Sequence, residues 1–160
     1  MKFLRTIRFD QSDDHVFAVA AGDNEWALPG GFEFAGITAD HLTGKTRQAF
    51  ANGFLGVPSF GRSTFAATAE ISEAEHDRVV DVLARHFVDR LGAPSADDAR
   101  AAALEETRFV VDLCAEQPIN TVFTLRRVFD DGEIREEFRI ITPPSKPLHT
   151  RVWDVVEDDA

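Results

Sequence analysis

The sequence predicts a single α+β domain over residues 1–160, in which an antiparallel sheet of about five or six strands packs against a pair of antiparallel helices and one further short helix. Three observations predict this fold. Residues 72–91 and 95–116 carry apolar side chains at helical spacing and are joined by a short link. Residues 119–129 and 133–142 are the two clearest strands and flank an Asp-Asp-Gly turn. Hydrophobic residues make up 44% of the chain, which is enough for one core.

The N-terminal residues predict short elements. Residues 2–9 alternate as a first strand. Ser12 is expected to cap a short helix that runs through Val19. Residues 26–34 contain a Pro-Gly-Gly sequence, which predicts a short strand, a turn and a second short strand.

The next part of the chain predicts a helix, a loop and a strand. Residues 43–52 are expected to be helical, with Gly53 just past the end of the helix. Residues 54–61 contain Gly and Pro and are expected to form a loop. Residues 62–71 alternate in the manner of a strand.

The two long helices have clear boundaries. Ser72 and Glu75 form a capping-box pattern at the start of the first helix, and Gly92 ends it. Ser95 begins the second helix, and the short link between the two predicts antiparallel neighbours. In the hairpin that follows, Gly132 can adopt the positive φ that a tight turn requires.

The distribution of charge singles out one segment. The chain has 28 acidic and 17 basic residues, a net charge of −11, yet residues 41–69 contain no acid at all. This segment is also rich in Gly and Phe. We expect residues 43–64 to bind an anion or a partner, with Lys45, Arg47, Arg62 and Ser63 as the ligand-binding residues. The alternative is that the glycines form turns, the phenylalanines fill the core and the cations pair with acids elsewhere.

Arginines on the predicted strands leave two interpretations open. Arg5, Arg127 and Arg139 interrupt the apolar faces of their strands. A buried arginine needs a partner. Either an acid such as Glu136 or Glu137 pairs with these side chains, or they line a ligand cleft.

Several classes of function are disfavoured by composition. A net charge of −11 argues against nucleic-acid binding, which requires a basic surface. No run of apolar residues approaches the roughly 20 that span a bilayer. Cys114 is the single cysteine, so neither an internal disulfide nor a cysteine metal cluster can form, and a cytoplasmic location is expected. The sequence predicts no cofactor and no metal site.

Two short motifs resemble nucleotide-binding sequences but lack their essential parts. Residues 26–31 resemble the entry to a Nudix hydrolase domain, but the acidic cluster that holds magnesium does not follow. Residues 44–46 resemble the end of a P-loop, but Ala39 stands where the first glycine is required. Both stretches are therefore interpreted as ordinary turns and helix starts.

Residues 42–56 and 58–65, together with the N-terminal residues 1–10, resemble a small uncharacterised bacterial family of unknown function. The resemblance extends over essentially the whole chain. It implies no activity, cofactor or site residue.

Three functional hypotheses remain. The leading one is a non-catalytic cytoplasmic accessory or binding protein, whose cations contact an anionic small molecule or an acidic patch on a partner protein. The alternative is a small enzyme acting on a phosphate- or carboxylate-bearing metabolite, with His41 or His86 as the acid or base. The third is a homodimer that associates through a C-terminal edge strand at residues 151–156, ahead of a flexible acidic tail at residues 157–160.

Overall fold

A computed structural model describes residues 1–141 of the chain. The strands are β1 (Lys2–Ile7), β2 (Trp26–Leu28), β3 (Phe54–Val57), β4 (Arg62–Ser63), β5 (Phe65–Glu70), β6 (Val122–Asp130) and β7 (Glu133–Ile141). The helices are α1 (Ser12–Val16), α2 (Gly44–Asn52), α3 (Glu73–Arg90) and α4 (Ala96–Cys114). Two short 3-10 turns, Gly31–Phe34 and Ala39–His41, lie between β2 and α2.

All seven strands form one antiparallel sheet in the order β4-β3-β2-β1-β5-β6-β7. The predicted α+β class is confirmed, and the sheet has slightly more strands than the five or six expected. The additional strands come from the region between α2 and α3. Residues 54–61 were expected to be a loop, but β3 occupies their first half and pairs with β2.

The glycine inside β3 has a packing role. A Cβ atom on Gly56 would lie only 2.8 Å from the Cβ of Ala21. The absent side chain therefore lets the segment before β2 cross close to the strand, a known use of glycine within strands. The single strand expected over residues 62–71 is divided at Thr64, whose hydroxyl donates to Asp13 Oδ1 at 2.7 Å.

Two shorter predictions are corrected near the N-terminus. The second short strand expected within residues 26–34 is a 3-10 turn, which follows Gly30 in the left-handed conformation at φ 73°. The chain therefore bends sharply after β2 instead of forming a hairpin. Helix α1 ends at Val16, earlier than expected, because Phe17 is already extended.

The helical pair and the C-terminal hairpin are confirmed. Ser72 Oγ accepts the Glu75 N–H at 3.1 Å and thereby caps α3. Arg100 of α4 donates to Asp81 of α3 at 2.8 Å, which links the two neighbouring helices. The hairpin between β6 and β7 turns through two residues with positive φ, Asp131 at 57° and Gly132 at 83°.

The sheet is strongly curled. Phe54 lies on β3 and Phe138 on β7, and these two strands are five places apart in the sheet order. In a flat sheet this separation would be about 24 Å, at roughly 4.8 Å per strand. The two ring centroids are 6.5 Å apart, and Phe109 of α4 lies 5.5 Å from Phe138. The curl thus brings the two halves of the sheet together around one apolar core, which α3 and α4 complete.

The C-terminal edge strand expected at residues 151–156 and the acidic tail at residues 157–160 lie outside the described residues. Among residues 1–141, no helix is both long enough and apolar enough to cross a membrane.

Candidate functional site

A cleft of about 440 Å³ lies between α2 and β6, and we call it the arginine cleft. One wall comes from residues 39–52 and the other from four consecutive residues of β6. The lining residues are Ala39, Leu42, Arg47, Phe50, Ala51, Asn52, Arg126, Arg127, Val128 and Phe129. Three of these described lining residues are arginines and none is acidic, in a chain whose net charge is −11.

The helix wall is built from the acid-free segment. Arg47, Phe50 and Ala51 lie three and four residues apart on α2, so they share one face of the helix. Phe50 is buried, stacks on Phe129 with 4.8 Å between ring centroids, and meets the edge of Phe34 at 5.2 Å. This aromatic contact holds α2 against β6 and places the exposed Arg47 at the cleft.

Arg127 forms the inner, buried part of the cleft wall. Its Nε donates to Glu136 Oε2 at 2.9 Å, its Nη1 to the Phe50 carbonyl at 2.6 Å, and its Nη2 to the Pro29 carbonyl at 2.7 Å. The Phe50 carbonyl belongs to the last turn of α2, where a cation satisfies a free acceptor and favours the helix dipole. Burial lowers the pKa of Arg127, and the Glu136 carboxylate opposes that shift.

Arg62 is a second buried arginine beside the first. Its guanidinium donates to the carbonyls of Gly53 at 3.0 Å and Gly30 at 3.2 Å. It lies 4.8 Å from the centre of the Phe34 ring, and the Arg127 guanidinium lies 5.3 Å from the same ring. Burial, and after it the charge of Arg127, lower the pKa of Arg62 to about 9, so it remains a cation at neutral pH.

The Pro-Gly-Gly sequence fits around these two arginines. A Cβ on Gly30 would lie 2.5 Å from Leu55 Cβ and 2.9 Å from Arg62 Nη1. A Cβ on Gly31 would lie 2.7 Å from Glu136 Oε2. Gly30 is therefore required by its positive φ and by the close approach of Leu55, whereas a side chain at Gly31 would press on the carboxylate that pairs with Arg127.

The four residues predicted to bind a ligand do not lie together in one site. Arg47 lines the arginine cleft, whereas Lys45, two residues earlier on α2, points about 200° away around the helix. Arg62 is occupied by backbone carbonyls, and the buried Ser63 donates to the Phe65 carbonyl at 2.8 Å. The ligand-binding roles of Lys45, Arg47, Arg62 and Ser63 stay predictions.

The arginines left open by the sequence have different environments. Arg127 fits both interpretations offered by the sequence, because it pairs with Glu136 across the hairpin and also lines the arginine cleft. Arg5 stacks on Trp26 at 3.9 Å and donates to the Asn24 carbonyl at 2.8 Å. Arg139 is exposed on β7, opposite Thr124.

Neither histidine proposed for the enzyme alternative lines the arginine cleft. His86 Nε2 lies 2.6 Å from Glu33 Oε2, and its ring stacks on Phe60 at 3.9 Å. His41 Nδ1 contacts the Thr38 hydroxyl at 2.9 Å. Burial raises the pKa of the Cys114 thiol to about 12, which keeps it protonated and unreactive. Within residues 1–141 no three His, Cys, Asp or Glu residues are grouped as metal ligands would be.

Sequence reasoning singled out the α2 wall as a binding segment and, on the other wall, Arg127 as a residue that either pairs with an acid or lines a cleft. The absence of acids at residues 41–69 is the pattern that singled out the α2 wall. Arg126 and Phe129 come from a strand far away in sequence, and only the packing of β6 against α2 brings them to the cleft.

Comparison with known proteins gives a family but no activity. A search of curated proteins and of solved structures found no significant match. A family model described as a family of unknown function (DUF6505) matches residues 1–156. The chain therefore belongs to the family of unknown function DUF6505.

Proposed function

We propose that the protein is a non-catalytic cytoplasmic binding protein that takes an anionic group, a carboxylate or a phosphate, into the arginine cleft. The observation that carries this proposal is the composition of the cleft: three arginines and no acid among its described lining residues, in a strongly acidic chain. Arginine suits such groups because its planar guanidinium can donate two parallel hydrogen bonds.

Arg127 and Arg47 would contribute in different ways. Arg127 is held in place by one carboxylate and two carbonyls, so it supplies a charge of fixed position but few free donors. Arg47 is exposed and forms no ion pair within residues 1–141, so its donors are available. A fixed inner charge with an exposed guanidinium at the opening is a suitable arrangement for capturing an anion.

The acidity of the whole protein shapes how binding should depend on salt. A net charge of −11 repels anions at long range, while the cleft attracts them locally. At physiological salt concentrations the Debye length is about 8–10 Å, so both effects are screened beyond that distance. Binding should therefore be strongest for ligands small or flexible enough to bring a single anionic group into the cleft.

The test is isothermal titration calorimetry with inorganic phosphate and with succinate at low salt. We expect saturable binding of one equivalent of at least one of them, weakened about tenfold by Arg47→Gln through the loss of a charge-assisted hydrogen bond. Arg90→Gln is the matched control, since Arg90 is exposed at the end of α3 and lines none of the clefts described. The proposal fails if neither anion binds, or if both substitutions weaken binding equally.

A further inference from the structure

Strand β7 is the last strand of the sheet, and its outer edge carries no strand in the described part of the chain. It pairs with β6 from Glu133 to Ile141. None of its nine residues is buried, and Ile140 is 52% exposed. No helix packs along the outer edge within residues 1–141. An open edge of this length can pair with a strand of another chain.

The hairpin determines which backbone groups of β7 face the open edge. Asp130 and Glu133 close a two-residue turn, and such a pair exchanges hydrogen bonds with each other. Because the direction alternates along a strand, the odd-numbered residues of β7 bond to β6. The even-numbered residues from Ile134 to Ile140 therefore direct their N–H and C=O groups outwards, where they have no backbone partner within residues 1–141.

The exposed face of β7 carries charges of alternating sign. Glu133, Arg135, Glu137 and Arg139 are all exposed and lie on the same face of the strand. Arg135 forms an ion pair with Asp130, but both side chains are exposed, and solvent screens such a pair. The other three form no ion pair within residues 1–141. These charges are therefore available to a strand that lies alongside β7.

We infer that two copies of the chain pair through β7, antiparallel and about a two-fold axis at Glu136, so that their sheets become continuous. In this register Glu133 lies opposite the partner's Arg139, and Arg135 lies opposite the partner's Glu137. The two-fold axis repeats both pairs, so four pairs unite opposite charges. They fall at the non-hydrogen-bonded positions, where side chains of neighbouring strands are closest. A shift of one strand by two residues would place like charges opposite each other along this face.

The even-numbered residues supply the backbone hydrogen bonds of the dimer. Ile134 lies opposite the partner's Phe138, the axis repeats this apolar pair, and together with Glu136 these pairs exchange about six hydrogen bonds. Glu136 meets its own copy at the axis, but each carboxylate also pairs with Arg127 of its own chain at 2.9 Å, which reduces the repulsion. A single strand edge offers less area than the roughly 1,600 Å² of a standard interface, so association should be reversible and depend on concentration.

Two complementary charge reversals test the dimer in the full chain. In Arg139→Glu the new carboxylate meets the partner's Glu133, and in Glu133→Arg the new cation meets the partner's Arg139. Each variant alone should therefore associate about tenfold more weakly than wild type. An equal mixture of the two variants restores every pair of opposite charges, so it should form a heterodimer of about wild-type affinity. Sedimentation equilibrium measures all three dissociation constants.

One control variant and one backbone measurement complete the test. Arg90→Glu changes the net charge as Arg139→Glu does, but Arg90 is exposed at the end of α3, so this control should associate like wild type. Amide hydrogen exchange at Glu136 and Phe138 should slow as the protein concentration rises.

The other outcomes overturn the inference. A protein that stays monomeric at high concentration, or a dimer that Arg139→Glu leaves intact, would show that β7 edges do not pair. Slow exchange at Glu136 and Phe138 at every concentration would show that the chain's own residues beyond Ile141 cover the edge. Absence of a heterodimer in the mixture would exclude the proposed register. Anion binding does not depend on this dimer, so Arg139→Glu should leave calorimetry with phosphate or succinate unchanged.

Discussion

Arg62 and Arg127 donate to the same acceptor, the carbonyl of Pro29, from β4 at one end of the sheet order and from β6, the strand next to the other end. Arg62 Nη1 lies 3.4 Å and Arg127 Nη2 lies 2.7 Å from that oxygen. Two cations would repel each other in an apolar interior, but shared carbonyls, the Phe34 ring and Glu136 compensate them. Through the Pro29 carbonyl the two arginines link β4 to β6, two strands that the curl of the sheet brings together beside the arginine cleft.

Replacement of Arg62 should destabilise the fold strongly. In Arg62→Met the carbonyls of Gly30 and Gly53 lose their donor within a buried region. Each unsatisfied buried acceptor costs about 1–3 kcal/mol, so we expect a loss of about 2–4 kcal/mol in the free energy of unfolding. Urea denaturation measures this value. Arg90→Met is the surface control, and an Arg62→Met protein as stable as that control would contradict the structural role.

Neutralising Glu136 should change stability and anion affinity in opposite senses. Glu136→Gln removes the carboxylate that compensates Arg127, which should lower the free energy of unfolding by about 1–3 kcal/mol. The same change leaves the arginine cleft more positive, so phosphate or succinate should bind more tightly in calorimetry. The control is Glu116→Gln, because Glu116 is exposed just beyond α4 and does not line the arginine cleft. A fall in both quantities would argue against an electrostatic link between Glu136 and the cleft.

A side chain at Gly56 should be disruptive, and a smaller residue opposite should relieve it. In Gly56→Ala the new Cβ would lie 2.8 Å from Ala21 Cβ, so overpacking should cost about 1–3 kcal/mol. The double variant Gly56→Ala with Ala21→Gly should recover part of this loss, as thermal or urea unfolding would show. If the double variant is less stable than the sum of the two single changes, the crossing described at β3 is incorrect.

The Cys114 thiol should make stability depend on pH in the alkaline range. Its pKa is about 12 in the folded protein and about 9.0 when exposed. Between these values the unfolded chain has lost a proton that the folded chain retains, so stability should fall as pH rises above 9. The slope from this group is at most about 1.4 kcal/mol per pH unit. Comparing urea denaturation of wild type and Cys114→Ala across pH 8–10 isolates it, and parallel curves would contradict the raised pKa.

The long elements of the fold could be predicted from local sequence. Ser72 and Ser95 cap α3 and α4 as their spacing indicates, and the turn through Asp131 and Gly132 is specified by residues that tolerate positive φ. Strand β3 could not be predicted in this way. Its glycine indicates a loop by composition, and only the crossing of Ala21 in the folded chain explains that glycine.

Residues on both walls of the candidate site could be singled out from the sequence, but not their meeting in one cleft. The absence of acids before and after Arg47 marks the α2 wall, because the pattern is local. The β6 wall depends on where the sheet opens beyond Phe123, which is a property of strand pairing. Arg62 illustrates the same limit: its charge suggests a ligand, but its position makes carbonyl oxygens of the protein its partners.

The bond between Arg127 and Pro29 joins residues 98 positions apart in the chain. During synthesis on the ribosome, Pro29 emerges long before the hairpin that supplies its donor. The N-terminal strands therefore cannot form this contact, which links the two sides of the curled sheet, until β6 has been synthesised. Long-range contacts of this kind slow folding and prolong the exposure of incomplete sheets to other chains. A strongly acidic composition, which makes nascent copies repel each other, suits a protein with so late a closing step.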